Sequence, residues 1–188
     1  MPRPVPLHPD CKRLLVTEDE IRTMVDRLAQ EIEDTYHDAT RPLILVVILK
    51  GSLPFAADLM RRIRRPVELE FMKVSSYGAD TKSSGEIKVS LDLSRDDLCG
   101  MDLLVVEDII DSGYTLTRLT ELLSNRNAHS VRTCTLLDKP SRREIPFLPD
   151  FCGREIPDEF VVGYGLDYNE QYRNLPYIGV LAPRVYRS

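Results

Sequence analysis

The spacing of apolar and polar positions divides the chain into alternating strand-like and helix-like segments. Leu43 to Leu49 is a continuous apolar run, and Leu103 to Val106 is another. Short runs without alternation read as strands buried on both faces, as in a parallel sheet. Ile21, Met24, Val25, Leu28 and Ile32 recur at helical spacing and predict one buried helix face, ending at about Tyr36. Thr17, with Glu20 three residues on, predicts a capping box at that helix's start. A second helix is expected after Lys50-Gly51-Ser52, to about Ile63. It closes on Arg61, Arg62, Arg64 and Arg65, cations that suit a helix C-terminus better than nucleic-acid contact. Val67 to Ser75 and Ile87 to Leu91 read as strands on either side of the polar segment Tyr77 to Glu86. A third helix is expected from about Thr115 to Asn125, followed by the strand Val131 to Leu137. Cys152 to Asp158 reads as irregular, Phe160 to Leu166 as strand-like, and Tyr177 to Leu181 as a last short strand. Pro2, Pro4, Pro6 and Pro9 favour an extended arm at the start. Strand and helix alternate through the middle, which predicts an α/β fold with a twisted, mostly parallel sheet flanked by helices.

Composition narrows this to one domain. A chain of 188 residues, 43% hydrophobic and 29% charged, has the length and balance of a single globular α/β unit. Its net charge of −5 gives no bulk attraction to nucleic acid. The apolar runs are too short to span a bilayer, and the start of the chain does not lead into a signal-peptide core. Cys11, Cys99, Cys134 and Cys152 are widely spaced, with no C-x-x-C pair, so a reducing, cytoplasmic setting is expected.

The candidate chemistry concentrates where strands end. Leu103 to Val106 leads into Glu107-Asp108-Ile109-Ile110-Asp111-Ser112-Gly113-Tyr114-Thr115. Ionised carboxylates are costly inside a sheet, so Glu107 and Asp108 are expected at the strand's carboxyl end, where open α/β sheets bind ligands. Asp111 to Thr115 reads as an anion cradle: Gly113 permits positive φ, and N–H groups and hydroxyls converge at a helix start. Acids beside phosphate donors suit a phosphorylated sugar.

The other candidates are individually weak. Lys50-Gly51 offers a cation and backbone N–H groups to a second phosphate, or is an ordinary turn with Ser52 as helix cap. Lys139 ends a strand and donates to a ligand acceptor, or faces solvent. Phe160 stacks on a flat ring or fills the core. Asp167 ligates Mg²⁺ or caps a turn. Arg173 meets a phosphate or faces solvent. Ser76 and Tyr77 open a long polar loop that reads as a lid or a solvated linker. His8, His37 and His129 have no metal or triad spacing, and G-x-S-x-G and Walker A motifs are absent.

Taken together, Val105 to Thr115 resembles the phosphoribosyl-pyrophosphate motif of the type I phosphoribosyltransferases. Leu49-Lys50-Gly51, Ser76-Tyr77, Lys139, Phe160 to Glu170 and Arg173 are similar, in order, to the hypoxanthine–guanine branch of that family. The match runs from about Leu14 to Leu181. The first motif specifies only the wider family; Lys139 and the Phe160–Asp167 segment specify the purine branch.

The resemblance implies a core of about residues 38–150, a small hood from about 1–37 and 151–188, and a flexible lid loop at Ser76 and Tyr77. It implies that Asp111, Ser112, Gly113, Tyr114 and Thr115 hold a 5′-phosphate, the side chain of Tyr114 excepted. Glu107 and Asp108 would face the ribose hydroxyls and an Mg²⁺ shell, to which Asp167 also contributes. Lys50, Gly51 and Arg173 would bind pyrophosphate; in this family the bond before that lysine, here Leu49–Lys50, is often cis. Phe160 would stack on the purine, Lys139 would donate to its 6-oxo group, and the Val161 backbone would read its edge. Asp111 would serve as general acid/base at N7. The implied substrates are phosphoribosyl pyrophosphate and a 6-oxopurine, with no nucleic-acid or membrane partner, in a homodimer or homotetramer. A xanthine-preferring enzyme and a non-catalytic nucleotide-sensing regulator are the alternatives on the same fold.

Overall fold

The computed structural model describes residues 5–37, 40–76 and 87–187. Two sheets organise it. The larger has strand order β4-β3-β2-β5-β6-β7, comprising β2 (Leu43–Ile48), β3 (Val67–Ser76), β4 (Ile87–Leu91), β5 (Asp102–Ile110), β6 (Ser130–Asp138) and β7 (Phe151–Glu155). All are parallel except the edge strand β4, which pairs antiparallel with β3. The smaller sheet joins β1 (Cys11–Val16), β9 (Ile178–Leu181) and β8 (Val161–Val162), all antiparallel.

The central strand β2 is apolar at every position, and β5 through Leu103 to Val106, because both faces are covered. Leu43, Leu45 and Val47 of β2, with Leu104 and Val106 of β5, face the helices α1 (Glu18–Thr35) and α2 (Leu53–Met60). Ile44, Val46 and Ile48, with Leu103 and Val105, face α3 (Tyr114–Ser124) on the other side. Period-two alternation thus feeds two cores rather than a core and solvent. α1 begins at the expected capping box, in which the Thr17 side chain accepts from Glu20 N and the Glu20 carboxylate accepts from Thr17 N. Its buried face is Ile21, Met24, Val25, Leu28, Ala29 and Ile32.

Several expectations are corrected. The hood is smaller than implied: α1 packs on the large sheet and β7 belongs to it, which leaves β1, β8, β9 and the short C-terminal helix α4 (Pro183–Tyr186) as the terminal layer. Cys152 to Asp158, expected to be irregular, supplies most of β7, although Cys-Gly-Arg-Glu has no apolar run. As an edge strand it needs none: Arg27 of α1 donates to the carbonyls of Cys152 and Gly153 at 2.9 and 2.7 Å. Gly153 is required there, since a Cβ would lie 2.3 Å from the Leu136 carbonyl. Phe160 to Leu166 is strand only at Val161–Val162. Gly163, Tyr164 and Gly165 turn away with φ of 102°, 50° and 100°. α2 stops at Met60 rather than near Ile63. Tyr77 and the following loop lie outside the described residues, and Ser76 is the last residue of β3.

Candidate functional site

The carboxyl ends of three adjacent parallel strands, β2, β5 and β6, deliver Lys50, Glu107 to Asp111 and Lys139 to one edge of the large sheet. β5 continues to Ile110, so Glu107 and Asp108 lie in its second half rather than beyond it; Glu107 is in register with Thr135 of β6. Glu107 Oε2 is buried without a protein partner. Burial, and then the neighbouring Asp108 charge, push the Glu107 carboxyl well above the ordinary carboxylate range. Burial likewise raises Asp108, against the opposing effects of its bonds with Glu107 and the Ile109 N–H (2.8 Å) and the Arg173 charge. A buried carboxyl oxygen with no protein partner can pair with a ligand hydroxyl or a cation.

Beyond β5 the chain turns at Asp111-Ser112-Gly113. Gly113 caps α3 in the left-handed region, with φ 91°. A Cβ there would be strained in φ and would also meet Arg143 Cδ at 3.1 Å and the Ile145 carbonyl at 3.3 Å. The turn is held from below: Ser112 O accepts from Glu144 N at 3.0 Å and Ile145 N at 3.3 Å, and Asp111 O accepts from the Arg143 guanidinium. Arg143 also pairs with the buried Asp138 and donates to Phe147 O at 3.1 Å. Above the turn, the start of α3 opens into a cavity of about 200 Å³ bounded by Glu107, Ile109 to Gly113 and Thr115. The first N–H groups of a helix have no intrahelical partner, so this floor is built for an anion.

A second cavity, of about 230 Å³, adjoins the first and shares Ile109 and Asp111 with it. Lys139, Phe160, Val161, Leu166, Asp108 and Asp167 complete its walls. Lys139 is 7% exposed; its N–H donates to Ile110 O at 3.0 Å and its Nζ stands 3.5 Å from Asp111 Oδ1. A buried ammonium directed into a cleft beside an apolar wall is a donor for a ligand oxygen.

The third wall is charged. Lys50 follows a cis Leu49–Lys50 bond, and its Nζ pairs with Glu170 Oε2 at 2.8 Å. Arg173 pairs with Asp167 Oδ1 at 2.9 Å and Glu170 Oε1 at 3.5 Å, and donates to Gly165 O at 2.8 Å, while its Nε is buried with no acceptor. Gly51 packs so tightly that a Cβ would fall 1.6 Å from Asp108 Oδ2. Gly165 is equally constrained, with a Cβ position 1.9 Å from Gly51 O. Ser52 stands at the N-cap position of α2 without capping it; its buried hydroxyl bonds back to Ile48 O.

Glu107, Asp108, Asp111 to Thr115, Lys50, Gly51, Lys139, Phe160, Val161, Asp167 and Arg173 are thus brought to one cleft, and Tyr77 lies outside the described residues. Sequence reasoning missed Arg143 and Glu170. Arg143 sits in a polar run with no motif around it; Glu170 has only its proximity to Asp167 and Arg173 as a signal. Among the described residues, no cluster of three or more His, Cys, Asp or Glu encloses a metal site, and no helix is long and apolar enough to cross a membrane.

Residues 17–169 match the family described as "Phosphoribosyl transferase domain". The chain is 54% identical over 179 residues to the hypoxanthine-guanine phosphoribosyltransferase of Bacillus subtilis, covering 95% of this chain and 98% of that protein. To the protein of the same name from Mycobacterium avium it is 47% identical over an alignment 191 positions long, covering 99% and 94%. The crystal structure of a hypoxanthine phosphoribosyltransferase from Staphylococcus aureus superposes with a TM-score of 0.91 at 46% identity, covering 96% of this chain and 97% of that one.

Proposed function

The chain belongs to the phosphoribosyltransferase family, and from that premise we propose that it transfers the 5-phosphoribosyl group from phosphoribosyl pyrophosphate to hypoxanthine or guanine, in purine salvage. The observation that carries this reading is the meeting of two cavities at Asp111, one floored by a helix start and the other walled by Lys139 and Phe160.

Asp111 to Thr115 take the 5′-phosphate through backbone N–H groups and the hydroxyls of Ser112 and Thr115. Tyr114 contributes only its backbone. Glu107 and Asp108 accept from the ribose hydroxyls, which satisfies the orphaned Glu107 oxygen. Lys50, the Gly51 backbone and Arg173 bind pyrophosphate, for which the unpartnered Arg173 Nε is a ready donor. Phe160 stacks on the base, Val161 reads its edge through the backbone, and Lys139 donates to its 6-oxo group. Adenine presents an amino donor there, and two opposed donors leave both unpaired.

In the reaction the bond from the anomeric carbon to pyrophosphate breaks as the bond to the purine nitrogen forms, with positive charge developing on the ribose. Asp111 takes the proton from purine N7 as N9 joins the anomeric carbon and passes it to solvent; in the reverse reaction it delivers the proton to N7. Exclusion of water from that carbon assigns a lid to the segment beginning at Ser76 and Tyr77.

The residues fit magnesium. Glu107 has a free buried oxygen, Asp108 and Asp167 share the cleft, and Mg²⁺ is commonly held by one or two carboxylates together with substrate phosphates. When bound, the ion neutralises charge on the departing pyrophosphate. Assembly as a homodimer or homotetramer and a cytoplasmic location are part of the same proposal; the free state of Cys11, Cys99, Cys134 and Cys152 supports the latter. The test is direct: the purified chain is mixed with hypoxanthine, phosphoribosyl pyrophosphate and MgCl₂. Formation of the nucleoside monophosphate is expected, and its absence with hypoxanthine, guanine and xanthine alike overturns the reading.

A further inference from the structure

Phe160 is 38% exposed, a large apolar ring at the rim of the base cavity. A ring that must be ordered when a ligand arrives weakens binding, because immobilising it costs entropy. Here it is ordered in advance. Tyr186, at the end of α4, stacks on it with centroids 4.9 Å apart and planes 24° apart. Tyr168 meets the same ring edge-on at 5.5 Å and 88°, and touches Tyr186 at 6.4 Å. On the Tyr186 ring in turn sits the Arg187 guanidinium, 5.8 Å from its centroid. With one face of Phe160 covered by Tyr186, the other is left for a ligand.

The main chain fixes this arrangement at both ends. Leu181 N donates to Phe160 O at 2.8 Å and Val161 pairs with Val180, so the strand that leads into α4 also anchors the backbone of the stacking residue. α4 itself is tied to the N-terminal arm. Ala182 N donates to Asp10 O at 2.8 Å, and Arg184 donates to Pro9 O at 2.7 Å and Asp10 Oδ1 at 3.1 Å. Tyr172 adds a bond to Asp10 Oδ2 at 2.9 Å.

We propose that Tyr186 is a positioning residue for the base site: its ring holds Phe160 in the orientation on which a flat heteroaromatic base stacks. The proposal rests on the reading of Phe160 as the base platform. It acts through ring faces, so the Tyr186 hydroxyl is dispensable. It also acts on one substrate only, since the phosphate loop and the pyrophosphate wall lie on other elements.

The experiment compares wild type, Tyr186→Ala and Tyr186→Phe, as full chains. Initial rates are measured against hypoxanthine at saturating phosphoribosyl pyrophosphate and then the reverse, alongside thermal melts. Tyr186→Ala is expected to raise the KM for hypoxanthine about three- to tenfold, the range that loss of an aromatic pair gives. The KM for phosphoribosyl pyrophosphate is expected to stay within about twofold, and Tyr186→Phe to match wild type. An unmoved hypoxanthine KM, an equal rise in both KM values, or a Phe variant as impaired as Ala overturns the positioning role. If Tyr186→Ala melts below the assay temperature, Tyr186→Leu replaces it with the same criteria. A wild type without turnover overturns the proposed function instead, so the two failures are told apart.

Discussion

The turn at Asp111-Ser112-Gly113 and the hairpin from Asp167 to Arg173 border the same cleft, yet they meet an anion in opposite states. The turn is braced from beneath by Glu144 N, Ile145 N and Arg143, and its upward-facing donors are the start of a helix. Nothing has to move for a phosphate to enter. Around the hairpin the cations are already paired: Lys50, from the end of β2, with Glu170, and Arg173 with Asp167 and Glu170. The Lys50 bond, and then the Arg173 charge, hold the Glu170 carboxyl below its ordinary range. Under the proposed assignment, a pyrophosphate has to displace carboxylates to reach these cations. In the proposed reaction one region is pre-organised for the group that stays, and the other is self-neutralised around the group that leaves, which would ease its departure.

The largest predicted effect strikes where the two cavities meet. Asp111→Asn is expected to lower kcat by about 10²- to 10⁴-fold, the range for loss of a general acid/base, with phosphoribosyl pyrophosphate binding little changed. Near-normal turnover would remove the proton-transfer role and leave the turn as a phosphate cradle only. Lys139→Ala comes next. Loss of the donor is expected to erode the preference for hypoxanthine over adenine in kcat/KM by about 1–3 kcal/mol, or roughly five- to 150-fold. An unchanged ratio would mean that another group reads the 6 position.

A smaller change tests the hairpin. Glu170→Gln frees Lys50 from its competitor, and product inhibition by pyrophosphate is expected to tighten about two- to threefold, since exposed ion pairs are weak. Unchanged or weaker inhibition would mean that Glu170 does not compete for these cations. The smallest effect sets the scale of an ion pair that never exchanges. Arg126 grips Asp92 through both oxygens, at 2.8 and 2.6 Å, and holds its carboxyl below the usual range. A depressed folded-state value stabilises above the ordinary aspartate pKa and is lost as pH falls below it. Asp92→Asn should therefore cost under about 1 kcal/mol at pH 7 in urea unfolding, with the gap to wild type closing below about pH 4. A gap constant with pH would assign the effect to packing.

The same contrast explains what could be read from the chain. The phosphate turn is contiguous, and its chemistry follows from local rules: an apolar strand, acids at its end, then a glycine and hydroxyls at a helix start. The central strands were legible for a similar reason, because burial on both faces leaves an unbroken apolar run. The proposed base and pyrophosphate walls come from residues as far apart as Lys50, Lys139 and Arg173; alone, Lys50 reads as part of an ordinary turn and the other two as solvated cations, and only the family resemblance groups them. Arg143 and Tyr186 were not legible at all. Their positions depend on tertiary contacts, a guanidinium folded beneath a turn and a terminal ring laid on Phe160, that leave no local pattern. β7 was missed because an edge strand satisfied by Arg27 needs no apolar signature.

The central claim is that one ligand spans both cavities, its phosphate on the turn and its 6-oxo group at Lys139. Calorimetric titration of the wild-type chain with IMP and AMP in magnesium buffer tests it most directly. Both nucleotides carry the same ribose phosphate and differ at the 6 position and the adjoining N1, so any difference arises at the base wall. IMP is predicted to bind at least about tenfold more tightly than AMP, the difference that one mismatched donor imposes. Equal affinities would contradict it.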